Sequence, residues 1–320
     1  MATMKLTHAV ARDIRVAAAR PRRQMSFGRQ LRRNTTAYLF LAGACLCFAV
    51  FSWYPMIREV IMSFQYTNFA GDTKWVGLRN YQHIVADPDF WSAWRTTGLF
   101  TLFALVFGYA VPFCTAVVIN ELRHVRTYFR LLVYLPVMMP PVAAAFLWRW
   151  FYSPDSTGLF NGVLHALHLP TVQWLQSSHT LAVLCLVLFS TWINMGGTVL
   201  VYLASLQSIP GELYGAAEMD GAGLLRRVWH ITVPQTRLIL STLLLLQIVA
   251  TMQMFIEAFI LTGGPGVNNN TLSVVDLIYT YAFSMSGSSN YNSASALGVV
   301  LLLVLGAFSG AYLWLSRDRG

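Results

Sequence analysis

Six stretches of this chain are each long and apolar enough to cross a lipid bilayer, and this feature constrains the fold more than any other. A transmembrane helix needs about 20 mostly apolar residues. The stretches run approximately over Ala37–Trp53, Thr97–Ile119, Leu131–Trp150, Leu181–Leu206, Leu238–Leu261 and Ala294–Leu315. Charged residues make up only 11% of the chain, less than half of the share that is usual in soluble domains. We therefore predict an all-α membrane protein with six transmembrane helices.

The basic residues are distributed unevenly between the two sides that six spans would create. Of the 22 Lys and Arg residues, 17 lie in the N-terminal segment, in the loops after the second and fourth spans, or at the C-terminus, and five lie on the other side. Basic residues accumulate on the cytoplasmic side of membrane proteins, so we predict that both termini are cytoplasmic.

The predicted organisation is a basic cytoplasmic tail (1–36), a transmembrane domain (37–316) and a cytoplasmic end (317–320) of a multi-pass protein in the bacterial inner membrane. Arginines beside membrane spans interact with anionic lipid. We therefore expect membrane lipid, and no nucleic acid, as the partner of the basic tail.

Two adjacent prolines, Pro140 and Pro141, interrupt the third apolar stretch. A proline lacks the backbone N–H and its ring clashes with the preceding turn, which predicts a kink in this helix. The carbonyl groups that a kink frees are tolerated at membrane depth where neighbouring helices or water satisfy them. We expect the third span to line a protein interior rather than lipid.

The loop between the fourth and fifth spans, about residues 208–236, has more features than a simple connection needs. Pro210 and Glu212 suit the first turn of a helix. Ala216 and Ala217 are small enough to let the surface of another protein approach closely. These features predict a short docking helix on the basic side of the membrane.

Two glycines and a proline complete the pattern of this loop. Gly221 and Gly223 allow a turn after the short helix, and Pro234 is predicted to end the helix that follows. The predicted docking surface consists of Glu212, Ala216, Ala217, Glu218, Asp220, Gly221 and Gly223.

This loop resembles the EAA loop in the permeases of binding-protein-dependent ABC importers. The family pattern is Glu-Ala-Ala, a short spacer, Gly, a longer spacer and Ile-x-Leu-Pro. The residues that match it are Ala216, Ala217, Gly221, Ile231 and Pro234. Gly215 stands where the family has glutamate, and Val233 replaces leucine. The acidic contact that the family glutamate would make to an ATPase would have to come from Glu212 or Glu218.

Other segments resemble the sugar-permease branch of the same family, and in particular its maltose-permease-like subunits. Residues 75–81 and 87–90 resemble the first periplasmic loop of that branch, and residues 192–217 resemble its fourth span running into the docking loop. Residues 261–266 resemble the glycine-rich element after its fifth span. The resemblance covers roughly residues 37–317.

The resemblance implies a type I ABC importer permease fold and a division of labour between subunits. An extracytoplasmic solute-binding protein would capture a disaccharide or oligosaccharide, and two six-helix permeases, often a heterodimer, would form the pathway. Two ATPase subunits would bind ATP and Mg. This chain has no G-x-x-x-x-G-K-[ST] phosphate-binding loop, so we expect neither enzyme activity nor a cofactor in it.

The amide and acidic residues inside the apolar stretches are Asn194 in the fourth span and Gln247, Gln253 and Glu257 in the fifth. Of these, Asn194, Gln253 and Glu257 are our main candidates for contact with the solute. Polar groups within a membrane are costly and usually face a cavity or a bundle interior. Gln253 and Glu257 are four residues apart, so they are predicted to share one helix face. Their amide and carboxylate groups suit sugar hydroxyls; hydrogen bonding between helices is the alternative role. Aromatic candidates for stacking on a sugar ring are Trp148, Trp150, Trp192 and Phe255.

Alternative functions remain open at this point. A secondary transporter would show inverted repeats, and a membrane enzyme would show convergent catalytic residues; neither pattern is present. The same importer could carry a sugar phosphate or a polyol, although Arg149 is the only basic residue near the pathway. We interpret the outer loop between the third and fourth spans as a surface for the binding protein, and we predict no metal site there. That loop contains Asp155, His165, His168 and His179.

Overall fold

The computed structural model describes residues 35–67, 72–122, 125–283 and 290–317. Almost all of the predicted tail and of the predicted cytoplasmic end therefore lies outside the described residues. The regular secondary structure of the described residues is helical apart from one short β-hairpin. Its contacts divide it into two units, of which the first ends at Arg58 and the second begins at Glu59. The cavities and the predicted docking helix belong to the second unit.

The elements are named in chain order. The first half of the chain contains α1 (Thr35–Phe48), α2 (Tyr54–Ser63), β1 (Gln65–Thr67), β2 (Thr73–Trp75), α3 (Arg79–Ala86), α4 (Pro88–Ala104), α5 (Ala110–Glu121), α6 (Arg126–Tyr134) and α7 (Pro141–Phe151). The second half contains α8 (Leu159–Ala166), α9 (His179–Gln207), α10 (Gly211–Met219), α11 (Leu224–Arg227), α12 (Val233–Met252), α13 (Ile256–Leu261), α14 (Val274–Phe283) and α15 (Tyr291–Arg317). Helical turns of other types lie at Ala49–Trp53, Leu105–Tyr109, Leu135–Met138, Val228–Thr232 and Val267–Asn269.

Five helices of the described chain are long and apolar enough to cross a membrane: Thr35–Ser63, Pro88–Glu121, His179–Gln207, Leu224–Met252 and Tyr291–Ser316. The bent pair Arg126–Met138 and Pro141–Phe151 makes a sixth if it forms one span. Each of these overlaps one of the six predicted stretches, which confirms the all-helical membrane fold. The cytoplasmic location of both termini stays a prediction.

The third span bends where its sequence predicts a kink, and its two helices meet at 99°. Met139 and Pro140 have extended ψ angles of 140° and 128°. Pro141 is the first residue of α7, a position at which a missing N–H is tolerated. α7 buries Ala144 and Ala145 in the protein interior, whereas α6 buries none of its residues.

Gly196 allows the bent third span to pack closely on α9, the central helix of the second unit. A Cβ atom at Gly196 would lie 2.6 Å from the carbonyl oxygen of Val133 and 2.8 Å from the Cα of Tyr134. Only glycine fits at this distance, because protein interiors are close-packed and backbone atoms have little room to move. The neighbouring Gly197 has open space at the same position.

The fifth span consists of two helices, and not of the single helix predicted over residues 238–261. α12 ends at Met252, the next three residues are not helical, and α13 begins at Ile256. Gln253 lies in the break and Glu257 lies in α13. The prediction that these two residues share one helix face is therefore wrong.

Hydrogen bonds that compete with the helix account for this break. The hydroxyl of Thr251 donates back to the carbonyl oxygen of Gln247 at 2.8 Å, a pattern that bends helices. The carbonyl oxygen of Met254 accepts a hydrogen bond from the hydroxyl of Ser273 at 2.8 Å. Phe255 has φ −142°, which is outside the helical range.

The helix after the docking loop does not end before Pro234, contrary to the prediction. It runs without interruption over Leu224–Met252. The π-helical turn at Val228–Thr232 lies just before the proline. Its wider hydrogen-bonded ring accommodates a residue that cannot donate a backbone N–H. The docking loop and the inner part of the fifth span thus share one helix of 29 residues.

The first outer loop is a β-hairpin fastened to α3. The side-chain amide of Asn80 donates to the carbonyl oxygens of Ser63 and Gln65 at 2.8 and 2.9 Å. Gly77 has φ +60°, a conformation that glycine adopts without strain. These contacts give a structural reason for the segment over residues 75–81 that resembles the sugar-permease branch.

Candidate solute pathway and docking surface

Both broken spans line the same cavity, which has a volume of about 420 Å³. Met139 and Pro141 line it from the bend of the third span, and Gln253 and Glu257 line it from the break in the fifth. Asn194 lines it from α9. Non-helical backbone is tolerated at membrane depth where it lines a cavity or is buried in protein. The three predicted solute contacts therefore do come together, through the break rather than through helical spacing.

A second cavity, of about 440 Å³, shares a wall with the first. Asn194 and Glu257 line both cavities. Ser190, Thr191 and Gln247 add hydroxyl and amide groups to the second. A few convergent polar groups in a mainly apolar cavity are the usual form of a small-molecule site.

The three candidate side chains differ in their hydrogen bonds. The amide nitrogen of Asn194 donates to the carbonyl oxygen of Ser190 at 2.9 Å, and that of Gln253 donates to the carbonyl oxygen of Val249 at 3.0 Å. Both bonds are local, and neither amide oxygen has a partner within the described residues. Glu257 instead accepts a hydrogen bond from the Ser190 hydroxyl at 2.8 Å. The alternative role in bonding between helices thus applies to Glu257, which links α13 to α9.

The start of α14 holds the break of the fifth span in place. Ser273, whose hydroxyl contacts Met254, also forms a capping box with Asp276. The N–H of Asp276 donates to the Ser273 hydroxyl at 3.0 Å, and the N–H of Ser273 donates to the Asp276 carboxylate at 3.3 Å. The N–H of Val274 donates to the hydroxyl of Thr97 in α4 at 3.0 Å. The break is therefore bonded to the residue that caps α14, and the start of α14 is in turn bonded to α4.

Trp148, a predicted stacking residue, lies in the protein core. It is 9% exposed, and its ring contacts those of Phe189 and Trp192 with centroid distances of 5.9 and 5.6 Å. It therefore packs α7 against α9 and cannot reach a solute. Phe255, by contrast, lines the 420 Å³ cavity.

The predicted docking segment forms α10, which has two different faces. Glu212, Gly215, Ala216 and Met219 are exposed, and Met219 is 90% exposed. These spacings place them on one side of the helix. Ala217 is only partly exposed, although the prediction grouped it with Ala216. Sequence reasoning missed Met219, which its position seven residues after Glu212 could have indicated.

Arg227 fastens α10 to the rest of the second unit. Its guanidinium lies 2.6 Å from the Glu218 carboxylate and 3.4 Å from that of Glu121 at the end of α5. The Arg227 side chain is 14% exposed, so these ion pairs are partly shielded from solvent. The hydroxyls of Tyr214 and Thr232 lie 2.9 Å apart and add a second link to the long helix.

The turn after α10 requires only one of its two glycines. Gly221 has φ +71°, which strains other residues. Gly223 has φ −66° and ψ 169°, which any residue can adopt. The predicted role of Gly223 in allowing the turn therefore does not depend on its being glycine. Asp220, which lies between the end of α10 and Gly221, is exposed.

Comparison with known proteins agrees with this arrangement. Residues 108–318 match a family described as binding-protein-dependent transport system inner membrane component. The chain is 34% identical to a probable ABC transporter permease, YurN of Bacillus subtilis (strain 168), over 85% of this chain and 92% of YurN. It is 31% identical to the arabinooligosaccharides transport system permease protein AraP of the same organism, over 85% of this chain and 86% of AraP.

The chain belongs to this family. It is a multi-pass permease subunit of an ABC importer in the inner membrane. The alternative of a secondary transporter therefore no longer stands.

A solved structure supports the same assignment for the fold of the permease. The permease is similar, with a TM-score of 0.81 and 25% identity, to a chain in the crystal structure of a bacterial ABC transporter involved in the import of the acidic polysaccharide alginate. The similarity covers 92% of the permease and 99% of that chain. The type I importer permease fold is therefore confirmed.

Proposed function

We propose that the permease conducts an uncharged oligosaccharide into the cytoplasm through the cavity where the two broken spans meet. The observation that carries this proposal is the convergence of Asn194, Gln253 and Glu257 on that cavity. Their oxygen atoms accept hydrogen bonds from sugar hydroxyls. No Lys or Arg occurs among the described residues that line either cavity, which favours an uncharged solute over a sugar phosphate. Relatives named for arabinooligosaccharide transport support the solute class.

The proposed importer also contains a second six-helix permease, two ATPase subunits and an extracytoplasmic solute-binding protein. ATP and Mg would bind to the ATPase subunits and not to this chain. Support for an ATPase at α10 comes from its exposed face, where Met219 lies beside Ala216 on the basic side of the membrane. Because Glu218 is paired with Arg227, we propose that Glu212 makes the acidic contact.

The solute pathway is tested by Gln253→Leu in the importer reconstituted in proteoliposomes with its binding protein. Loss of the amide should reduce uptake of arabino-oligosaccharides by about fivefold, since a hydrogen bond contributes about 1 kcal/mol. Subunit composition and basal ATP hydrolysis should be unchanged. The matched control is Gln235→Leu, at the exposed start of α12. Normal uptake by Gln253→Leu, or failure of the complex to assemble, would contradict the proposal. If the wild type imports a polyol such as sorbitol faster than arabino-oligosaccharides, the solute is a polyol and not an oligosaccharide.

The docking role of α10 is tested by Gly221→Val. A β-branched residue at φ +71° is strained by about 1 kcal/mol or more. We expect a permease that inserts normally but loses its ATPase subunits on purification, or keeps them without solute-stimulated hydrolysis. Gly223→Val adds the same bulk two residues later at an ordinary φ, and should behave like wild type. The docking proposal fails if Gly221→Val transports normally with its ATPase bound.

The position of the acidic contact is tested by restoring the family glutamate. A Cβ at Gly215 meets nothing within 4 Å, so Gly215→Glu should fold without a clash. Glu212→Gln should weaken ATPase binding, and adding Gly215→Glu should restore it. Equal ATPase binding by wild type and Glu212→Gln would show that Glu212 is not the contact.

A further inference from the structure

Four aromatic rings form a continuous row that begins at the solute cavity. Phe255 lies 4.9 Å from Phe259 and 5.4 Å from Tyr279, measured between ring centroids. Tyr279 lies 5.3 Å from Phe259 and 5.0 Å from Phe283. All four distances are within the range of favourable ring contacts. We name these four residues the aromatic row.

The aromatic row runs from the break in the fifth span toward the outer loops. Its inner end, Phe255, lines the 420 Å³ cavity. α13 carries Phe259 from the break toward the glycine-rich outer loop. α14 begins at the level of the break, because Ser273, the residue before it, contacts Met254. α14 carries the other two rings, so the row connects the cavity to the side predicted to face the binding protein.

The rings of the aromatic row are not covered by the chain itself. Phe259, Tyr279 and Phe283 are 40%, 41% and 61% exposed. In the assembled importer, lipid, the second permease or the solute must cover them. Continuity with a cavity whose wall includes Gln253 and Glu257 favours the solute, because acyl chains do not favour a polar wall.

We propose that the aromatic row is a stacking track for the sugar rings of an oligosaccharide. The track extends the cavity outward, so that one sugar unit contacts Asn194 and Gln253 while later units lie on the rings. The face of an aromatic ring is electron-rich and attracts weak donors such as the C–H groups of a sugar face. Stacking imposes no fixed hydrogen-bond geometry, so units can slide along the row. This inference rests on the proposed function, because it takes the solute to be an oligosaccharide.

The test is uptake as a function of oligosaccharide length by the reconstituted importer with its binding protein. The probes are arabino-, malto- and chito-oligosaccharides from disaccharide to pentasaccharide, and the variants are assayed with the series that the wild type imports fastest. The double variant Phe259→Leu/Tyr279→Leu should reduce disaccharide uptake by less than about twofold and pentasaccharide uptake by about tenfold. Each ring contact is modest, and the effects of losing two successive contacts multiply. Tyr279→Phe, which keeps the ring, should import like wild type.

A matched control separates stacking from a general effect of losing an exposed ring. Phe308→Leu removes a ring that is 45% exposed in α15 and lies outside the row, and it should not change the length dependence. Equal loss for every length, or loss of the second permease on purification, would identify a contact between permeases and overturn the inference. Unchanged pentasaccharide uptake would identify rings covered by lipid and would also overturn it. If the wild type imports none of the three series, the proposed solute class fails first, and the inference fails with it.

Discussion

The third and fifth spans both break at the candidate solute cavity, but they break for different reasons. In the third span, Pro140 and Pro141 lie at the 99° bend itself. In the fifth span, residues 253–255 include neither proline nor glycine. There the carbonyl of Met254 is held by the hydroxyl of Ser273, which lies 19 positions further along the chain.

This comparison shows that a local break and a tertiary break respond to different substitutions. A break caused by proline is present in any environment that the helix enters. A break held by a distant side chain persists only while that contact outweighs the helical hydrogen bonds that it replaces. Substitutions at the two breaks can therefore separate the two causes.

The largest effect is expected at Gly196, where the bent third span packs closely on α9. Gly196→Ala would place a Cβ 2.6 Å from the carbonyl oxygen of Val133, and overpacking of this kind costs about 3 kcal/mol. Gly197→Ala has open space and should stabilise α9 by about 0.5–1 kcal/mol through helix propensity. Thermal unfolding of the purified complex measures both. Equal shifts would show that the bend does not rest on this contact.

An intermediate effect is expected from Ser273→Ala, which leaves the buried carbonyl of Met254 without its partner. An unpaired buried acceptor costs about 2 kcal/mol, so the unfolding temperature and the uptake rate should both fall. Ser316→Ala is the control, because its hydroxyl bonds only the carbonyl oxygen of Leu313 at an exposed helix end. Wild-type uptake and stability in Ser273→Ala would show that the fifth break has a local cause after all.

The smallest effect is expected from Pro141→Ala. Pro141 is the first residue of α7, where the added N–H has no helical acceptor to reach. The expected loss is below about 1 kcal/mol and arises from the greater freedom of the unfolded chain. Pro140 still interrupts the helix, so uptake should stay close to that of wild type. A loss as large as that of Ser273→Ala would remove the distinction between the two breaks.

The spans and the bend at Pro140 could be predicted from the sequence because apolar length and proline chemistry act locally. The break in the fifth span could not, because residues 238–261 form a long apolar stretch without proline or glycine. Gln253 and Glu257 were correctly paired as residues of one region, but they meet at a cavity beside a break whose Met254 carbonyl is bonded by the distant Ser273.

The docking loop shows the same limit of local reasoning. The small residues and the turn at Gly221 were visible in the sequence, whereas the division of α10 into two faces was not. Ala217 is only partly exposed and lies one turn after Tyr214, whose hydroxyl contacts that of Thr232 in the long helix, 18 positions further along the chain. Pro234 was interpreted as the end of a helix because the π-helical turn before it has no recognisable sequence pattern.

An unbroken helix therefore joins the proposed docking end of the permease to the edge of the candidate solute cavity. Its 29 residues make a rod of about 44 Å, at about 1.5 Å of rise per residue. Arg227, near one end, is clamped to Glu218 of α10, and the other end stops at Met252, where the break begins. Because the helix continues through Pro234, a movement at one end can be transmitted along it to the other. A tilt imposed on α10 would reach the cavity wall as a sideways displacement, with the break as the joint that absorbs it.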